Sequence, residues 1–389
     1  MVWPIMLMAY ELNQGGSERQ MTEIAKALDR SRFEPHVGCL RPEGLRGGEL
    51  RDAGVPIVHL PVRSFASPSA MSGAWQLARY IRRHKIRLVH TYDYPLTVFA
   101  VPVARFLTGA IVASSTRSHR DLIPTNYLKL VRITDQLVKT IVVNCEFLKR
   151  HLVQDEKVPP SRIELCYNGL DLEHFRPLDS PRPAALPPDA MVIGVVSALR
   201  PEKGLSTLLQ GFAGIRNLRA GLKLAIVGSG QMRDPLEAQA RALGIWEQCV
   251  FAPATSEVAD WLRAIDIFVL PSLSEALSNS LMEAMGCSCC AVASNVGGNP
   301  ELICNGENGL LFEPRDAAGL SNALRTLVEN ESLRRRLAVT GEQMVRDRFS
   351  IRSSAERMSE IYTKLIDARG RDKRPGDYTS GSSLNPPLV

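Results

Sequence analysis

The chain has no apolar run long enough to cross a bilayer. Its longest apolar stretches, near residues 1–12 and 94–111, are too short or are broken by Pro95, Pro102 and Arg105, whereas a spanning helix needs about 20 consecutive apolar residues. Residues 1–15 lack a basic leader segment and a small-residue cleavage site, so a cytoplasmic location is expected. The eight cysteines are scattered, and Cys287, Cys289 and Cys290 have neither a second cluster at zinc-finger spacing nor an H-x₃-H partner. Buried thiols are therefore expected in place of a metal or redox site. Histidine is missing after His174, and the excess of basic charge is equally one-sided: residues 1–190 carry the whole net charge of +6 and the remainder is neutral. Such an imbalance suits an anionic partner, a membrane surface or a phosphorylated acceptor, and nothing in it calls for nucleic acid. An ordinarily solvated surface is the competing reading, because Arg/Lys and acids alternate without a polybasic run.

What is present is ample for two domains: 389 residues, 45% of them hydrophobic. The apolar run Ile5–Ala9 leads into Asn13, Gly15, Gly16 and Ser17 and then a helical pattern with Met21, Ile24, Ala25 and Leu28 on one face. This is a strand, glycine loop and helix in which two adjacent glycines permit close approach of backbone to a ligand. Strand-like segments recur near residues 35–40, 57–60, 88–90, 110–114, 140–144 and 163–166 with helical patterns between most of them, the alternation of βαβ units around a parallel sheet. Asn168-Gly169 turns the chain, and Pro177, Pro181, Pro183, Pro187 and Pro188 exclude both helix and central strand. The alternation then restarts at residues 192–197, 222–227, 249–252, 267–270, 290–294 and 309–312. The expected organisation is a first domain over 1–176, a linker over 177–190, a second domain over 191–345, a helix over 346–367 returning toward the first domain, and a disordered tail over 368–389. Two doubly wound α/β domains joined in this way leave a cleft between them, where ligands collect.

The chemistry concentrates in the second domain. Strand 192–197 runs into Arg200 and Lys203, with a helix starting immediately after Gly204. A guanidinium fork and an ammonium at a helix N-terminus suit a diphosphate, and cations are otherwise disfavoured there by the helix dipole. Gly228 and Gly230 follow the next strand; the third glycine and the distal acid of a dinucleotide fingerprint are missing, so the loop reads as close approach to a nucleotide other than NAD. The run IFVL at 267–270 leads into PSLSEALSNSLMEAMG, residues 271–286, with Glu275 and Glu283 seven residues apart. Ser280 and Glu283 have the S-x-x-E form of a capping box. Two acids at the carboxyl end of a strand suit hydroxyl groups better than phosphate, which points to ribose and sugar.

These segments, together with GGSER at 15–19, YNGLD at 167–171, RPEKG at 200–204, VGGNPELI at 296–303 and NGLLF at 308–312, resemble the retaining glycosyltransferases of family 4. The match covers nearly the whole chain. The resemblance implies the GT-B fold of two facing Rossmann-like domains and transfer of a hexosyl unit from a nucleotide-diphospho-sugar, UDP-linked, to a glycan or lipid-linked acceptor with retention of configuration. It also implies roles: Arg200 and Lys203 on the donor diphosphate, Glu275 on the transferred sugar, Glu283 on the ribose hydroxyls, and backbone N–H groups of Ser278, Asn279 and Ser280 on phosphate or sugar. His119, in TRSHRD, lies where members carry a first-domain active-site histidine. APATSEV after Phe251 departs from the family where a glycine is usual, which bears on the wall holding the base. D-x-D is absent, consistent with Arg and Lys standing in for a divalent ion; neither a metal nor a cofactor is expected. With no carboxylate standing out in the first domain as a nucleophile beneath C1, a same-face displacement is the expected route. The functional alternatives are a catalytically silent nucleotide-sugar-binding protein, or a GT-B epimerase or phosphorylase. The basic first domain and the aromatic-containing stretch 92–107 add contact with an anionic membrane at its inner face.

Overall fold

A computed structural model describes residues 2–13 and 15–372. Seven strands form the first sheet: β1 (Trp3–Met8), β2 (Phe33–Cys39), β3 (Ile57–His59), β4 (Leu88–Thr91), β5 (Ile111–Thr116), β6 (Thr140–Val143) and β7 (Ile163–Leu165). Six form the second: β8 (Met191–Val196), β9 (Leu222–Val227), β10 (Cys249–Ala252), β11 (Ile267–Leu270), β12 (Cys290–Ser294) and β13 (Leu310–Phe312). Every paired neighbour is parallel, in the orders β3-β2-β1-β4-β5-β6-β7 and β10-β9-β8-β11-β12-β13. Parallel pairing requires crossovers, and the crossover helices cover both faces. Strands such as β11, buried along its whole length, therefore read as unbroken apolar runs without alternation. The molecule is thus an α/β protein of two Rossmann-like sheets.

In each sheet the strand order reverses once, between β1 and β4 and between β8 and β11. Successive crossovers leave those points on opposite faces, so the loops at the carboxyl ends part and a crevice opens between them. The loops leaving β8 and β11 carry Arg200, Lys203 and Glu275; those leaving β1 and β4 carry Gly15, Gly16 and Asp93.

Residues 177–190 adopt neither helix nor strand. The helix Ile351–Asp372 lies against the first sheet, where Met358, Ile361, Tyr362 and Leu365 are buried with Ile5, Leu7 and Phe33. The Tyr362 hydroxyl is 2.7 Å from His90 Nδ1. Residues 368–372, assigned to a disordered tail from composition, continue this helix: the sequence offers no helix-stopping proline before Pro375, and Gly370 alone costs only about 1 kcal/mol. The expected disorder of 373–389 lies outside the described residues. Burial holds the thiols of Cys145 and Cys290 up to about 12, whereas Cys304 is exposed on a turn and departs from the expected burial. No helix among the described residues is long and apolar enough to cross a membrane.

Candidate active site

The chain leaves β11 into a polar loop and enters the helix Asn279–Gly286. Ser278, not Ser280, caps that helix, its Oγ accepting from Leu281 N at 3.3 Å. The capping box expected from Ser280 and Glu283 does not form: with Ser278 as the N-cap, Ser280 is the second residue of the helix and Glu283 the fifth, out of reach of the cap amide, and Glu283 pairs with a cation from the other domain. Arg19, on the helix Gly16–Ala27, donates through Nη1 to Glu283 Oε1, and its guanidinium lies 5.0 Å over the Phe175 ring. The Glu283 carboxyl is 5% exposed; burial raises its pKa, and the Arg19 charge works in the opposite direction.

Glu275 is tied to the neighbouring loop of the same sheet. Lys203 Nζ donates to its Oε1 at 2.6 Å, and Ser272 Oγ donates to the same oxygen at 2.7 Å. Arg200, by contrast, is 65% exposed, with its nearest acid, Glu202, 3.9 Å away. The site thus presents one exposed, loosely paired guanidinium and one ammonium closely neutralised by an acid. Gly228 and Gly230 serve this arrangement from beneath. A Cβ at Gly228, where φ is +150°, would lie 1.9 Å from Ser197 O, and one at Gly230 would lie 2.3 Å from Leu199 O. The absent side chains let the β8 and β9 loops touch; Gly228 still lines the cleft, and Gly230 is not among its lining residues.

The cleft between the domains has a volume of about 840 Å³ and is lined by Arg200, Lys203, Glu275, Ser278, Asn279, Ser280 and Glu283 on one side and by Gly15, Gly16 and His119 on the other. Asn279 spans it: its Oδ1 accepts from Asn168 Nδ2 at 2.9 Å and Gln20 Nε2 at 3.1 Å. The His119 ring packs 4.0 Å from that of His151 and 5.7 Å from that of Phe147. Burial, and then the neighbouring His151, lower its pKa, and its Nδ1 accepts from Asp121 N at 3.4 Å, which leaves Nε2 as the nitrogen that can donate. The first domain also brings two carboxylates to the wall, Glu11 and Glu18, contrary to the expectation that no first-domain carboxylate stands near the site. Glu18 turns back toward Gly15 at the head of its helix, with burial raising its pKa.

Three residues that bridge the domains lie inside the sequence motifs, whose local pattern carries no signal of that role. Arg19 stands in GGSER. Asn168, in YNGLD, has the sequence context of a turn residue, yet its Oδ1 accepts from Arg117 Nη1 at 2.6 Å and its Nδ2 donates to Leu277 O at 3.1 Å. Glu301, in VGGNPELI, accepts from the backbone N–H groups of Glu146 at 2.9 Å and Phe147 at 2.8 Å and from the Tyr167 hydroxyl at 3.1 Å. It therefore caps the helix Glu146–Gln154 of the opposite domain.

Two parallel-sheet domains whose switch-point loops face each other across a cleft, with a Lys–Glu pair and an exposed arginine on one wall, define a GT-B glycosyltransferase scaffold. The family described as Glycosyltransferase Family 4 matches residues 14–174 and that described as Glycosyl transferases group 1 matches residues 179–344. The chain belongs to the group 1 glycosyltransferases. It is similar to the D-inositol 3-phosphate glycosyltransferases of Streptomyces scabiei, 28% identical over 64% of this chain and 58% of that one, and of Rhodococcus erythropolis, 32% identical over 57% and 52%. The match spans somewhat over half the length of these relatives. Among solved structures, Anabaena HepE in complex with UDP and glucose superimposes with a TM-score of 0.80 at 19% identity, over 92% of this chain and 99% of that one. Sucrose-phosphate synthase from Thermosynechococcus elongatus does so with a TM-score of 0.78 at 19% identity, over 94% and 100%. Both likenesses concern the fold.

Proposed function

We propose that the protein transfers a hexosyl unit from a UDP-sugar to an acceptor hydroxyl with retention of configuration and without a metal ion. The observation that carries this is the Lys203–Glu275 contact of 2.6 Å beside the exposed Arg200, at the switch point and facing the first domain. An incoming diphosphate draws Lys203 from Glu275 and is gripped by the Arg200 fork; Glu275 is thereby released to accept sugar hydroxyls. Glu283 accepts from the ribose hydroxyls through the oxygen that Arg19 leaves free, and the amides of Ser278, Asn279 and Ser280 at the helix start face the anion. As the C1–O bond to the diphosphate breaks, negative charge grows on the departing phosphate beside Arg200 and Lys203. The acceptor oxygen bonds to C1 on the same face, and its proton passes to a phosphate oxygen. The same-face route is preferred to a double displacement because the Glu18 carboxylate is turned onto Gly15 at the head of its own helix. The acceptor is a glycan or lipid-linked hydroxyl; the name of the similar relatives adds an inositol phosphate to the acceptors to be assayed.

Lys203→Ala is the test, with UDP release measured with and without acceptor. Transfer and donor hydrolysis should fall together, by two to three orders of magnitude if one preorganised cationic donor is lost, roughly 3–4 kcal/mol. Undiminished turnover would overturn the assignment. Inorganic-phosphate dependence, sugar inversion at a ring carbon, or UDP binding with no turnover would point instead to a phosphorylase, an epimerase or a silent binder.

A further inference from the structure

The basic excess of the first domain is not spread evenly. Between Ala53 and Arg120 the sequence holds nine Arg and Lys residues and a single acid, Asp93, so the alternation of charges that favours an ordinary surface fails over this stretch. Asp93 is itself engaged, its Oδ1 accepting from Leu96 N at 2.9 Å as the cap of the following helix. The aromatic-containing segment 92–107 is mostly core: Tyr92, Leu96, Ala100 and Val101 are buried. Only its end emerges, where a single π-helical turn, Val103–Thr108, carries Arg105, Phe106 and Leu107 outward.

That turn packs beside the helix Pro68–Arg83. The inner face of this helix buries Gly73, Leu77, Ala78 and Ile81; its outer face presents Met71, Trp75, Arg79 and Arg82 at spacings of four, four and three residues. Trp75 is 64% exposed and Phe106 68% exposed. The Arg79 guanidinium lies 5.2 Å from the Trp75 ring centroid, and Arg82 donates to Leu107 O, joining the two elements. None of Arg79, Arg82, Arg83 and Arg105 forms an ion pair among the described residues. None of the patch lines the cleft.

An exposed aromatic and aliphatic surface framed by unneutralised arginines is costly in water unless something covers it. A second copy of the chain would bring arginines against arginines. A nucleic acid would satisfy the guanidinium groups and leave Met71, Phe106 and Leu107 in water. The interface of an anionic bilayer meets both demands, with phosphates for arginine and the acyl boundary for Trp and Phe. We infer that the helix Pro68–Arg83 and the turn Val103–Thr108 form a docking face for an anionic lipid bilayer. This goes beyond the donor reading and stands without it.

Sedimentation of the full chain with vesicles of equal parts phosphatidylglycerol and phosphatidylcholine tests the inference, against pure phosphatidylcholine vesicles and a nucleic-acid duplex. Binding is expected to the anionic vesicles alone and to weaken with salt. Arg79→Gln, Arg83→Gln and Arg105→Gln should each lower the partition coefficient about five-fold. Trp75→Ser with Phe106→Ser should lower it at least ten-fold. UDP-stabilised thermal unfolding of the same variants, read without vesicles, should be unchanged and shows that they fold. Equal binding to neutral vesicles, binding to the duplex but not to vesicles, a dimer dissolved by the Trp75 and Phe106 changes, or no binding at all would each overturn the docking face while leaving the donor site as argued.

Discussion

Glu301 gives the sharpest test of how the two domains are held. Its carboxylate reaches from the second domain to two first-turn amides of the helix Glu146–Gln154, and to the Tyr167 hydroxyl. A carboxylate–amide hydrogen bond contributes about 1.5 kcal/mol, so two of them give roughly 3 kcal/mol before the tyrosine is counted. A helix cap alone averages about 1 kcal/mol. Glu301→Ala should therefore cost about 3 kcal/mol in urea unfolding, more than a local cap loss. Glu301→Gln should cost nearly as much, because its NH₂ group meets one of the two N–H donors. Combined with Tyr167→Phe, the double change should fall short of the sum of the singles by about 0.5–1 kcal/mol, the mark of a shared contact. The helix also carries Phe147 and His151, the ring neighbours of His119, so loosening it should lower kcat while donor KM stays nearly constant. A Glu301→Gln variant that unfolds within about 0.5 kcal/mol of the parent would refute the charge-assisted latch.

Two further outcomes follow from buried carboxyls. Arg19→Met keeps a stem over Phe175 but strips Glu283 of its cation; it should destabilise the fold by roughly 3 kcal/mol at pH 8. Because burial already raises Glu283, the loss should shrink at pH 5, where a protonated carboxyl needs no partner; thermal unfolding at the two pH values decides, and an equal loss at both removes the argument. Asp93 is pushed up to about 7, chiefly by burial and further by Glu18 and Glu11, against the pull of two backbone N–H donors. The native state therefore holds a proton that the unfolded chain releases near pH 4, and this contribution to stability is lost as pH rises from about 4 to 7, by about 4 kcal/mol at most. Asp93→Asn, which can still cap its helix, should flatten that limb; an unaltered pH profile would show that Asp93 does not titrate there.

The sheets were legible because buried parallel strands write themselves as short β-branched runs, as in IFVL at 267–270 and TIVV at 140–143. The grouping of Arg200, Lys203 and Glu275 on one wall of the cleft was legible for a related reason: they sit at strand ends whose positions those runs define. Contacts between domains leave no such periodic trace. Arg19 and Glu283 are 264 residues apart, and the local pattern Ser280-x-x-Glu283 favoured a cap two residues past Ser278, which takes the role. Averaging charge over residues 1–190 likewise hid a stretch with one acid, and the helical face bearing Trp75 and Arg79 shows only once its inner side is known to be buried.

The residues left without a role in the quoted motifs meet across the interface. GGSER supplies Arg19 to Glu283, and Gln20, the next residue, to Asn279; YNGLD supplies Asn168 to Asn279; VGGNPELI supplies Glu301 to the helix beside His119. Two of the three acceptors on the second domain, Glu283 and Asn279, belong to the helix proposed to hold the donor. On that proposal, donor binding and domain apposition draw on the same side chains. Ribose hydroxyls arriving at Glu283 compete with Arg19 unless they take the second oxygen, and phosphate arriving at the helix start lies beside the amide that joins Asn168. A donor that strengthens these contacts closes the cleft; one that displaces them opens it. The free carboxylate oxygen of Glu283 and the double acceptance at Asn279 Oδ1 favour closure, because both allow the ligand to be added without a bond between domains being given up.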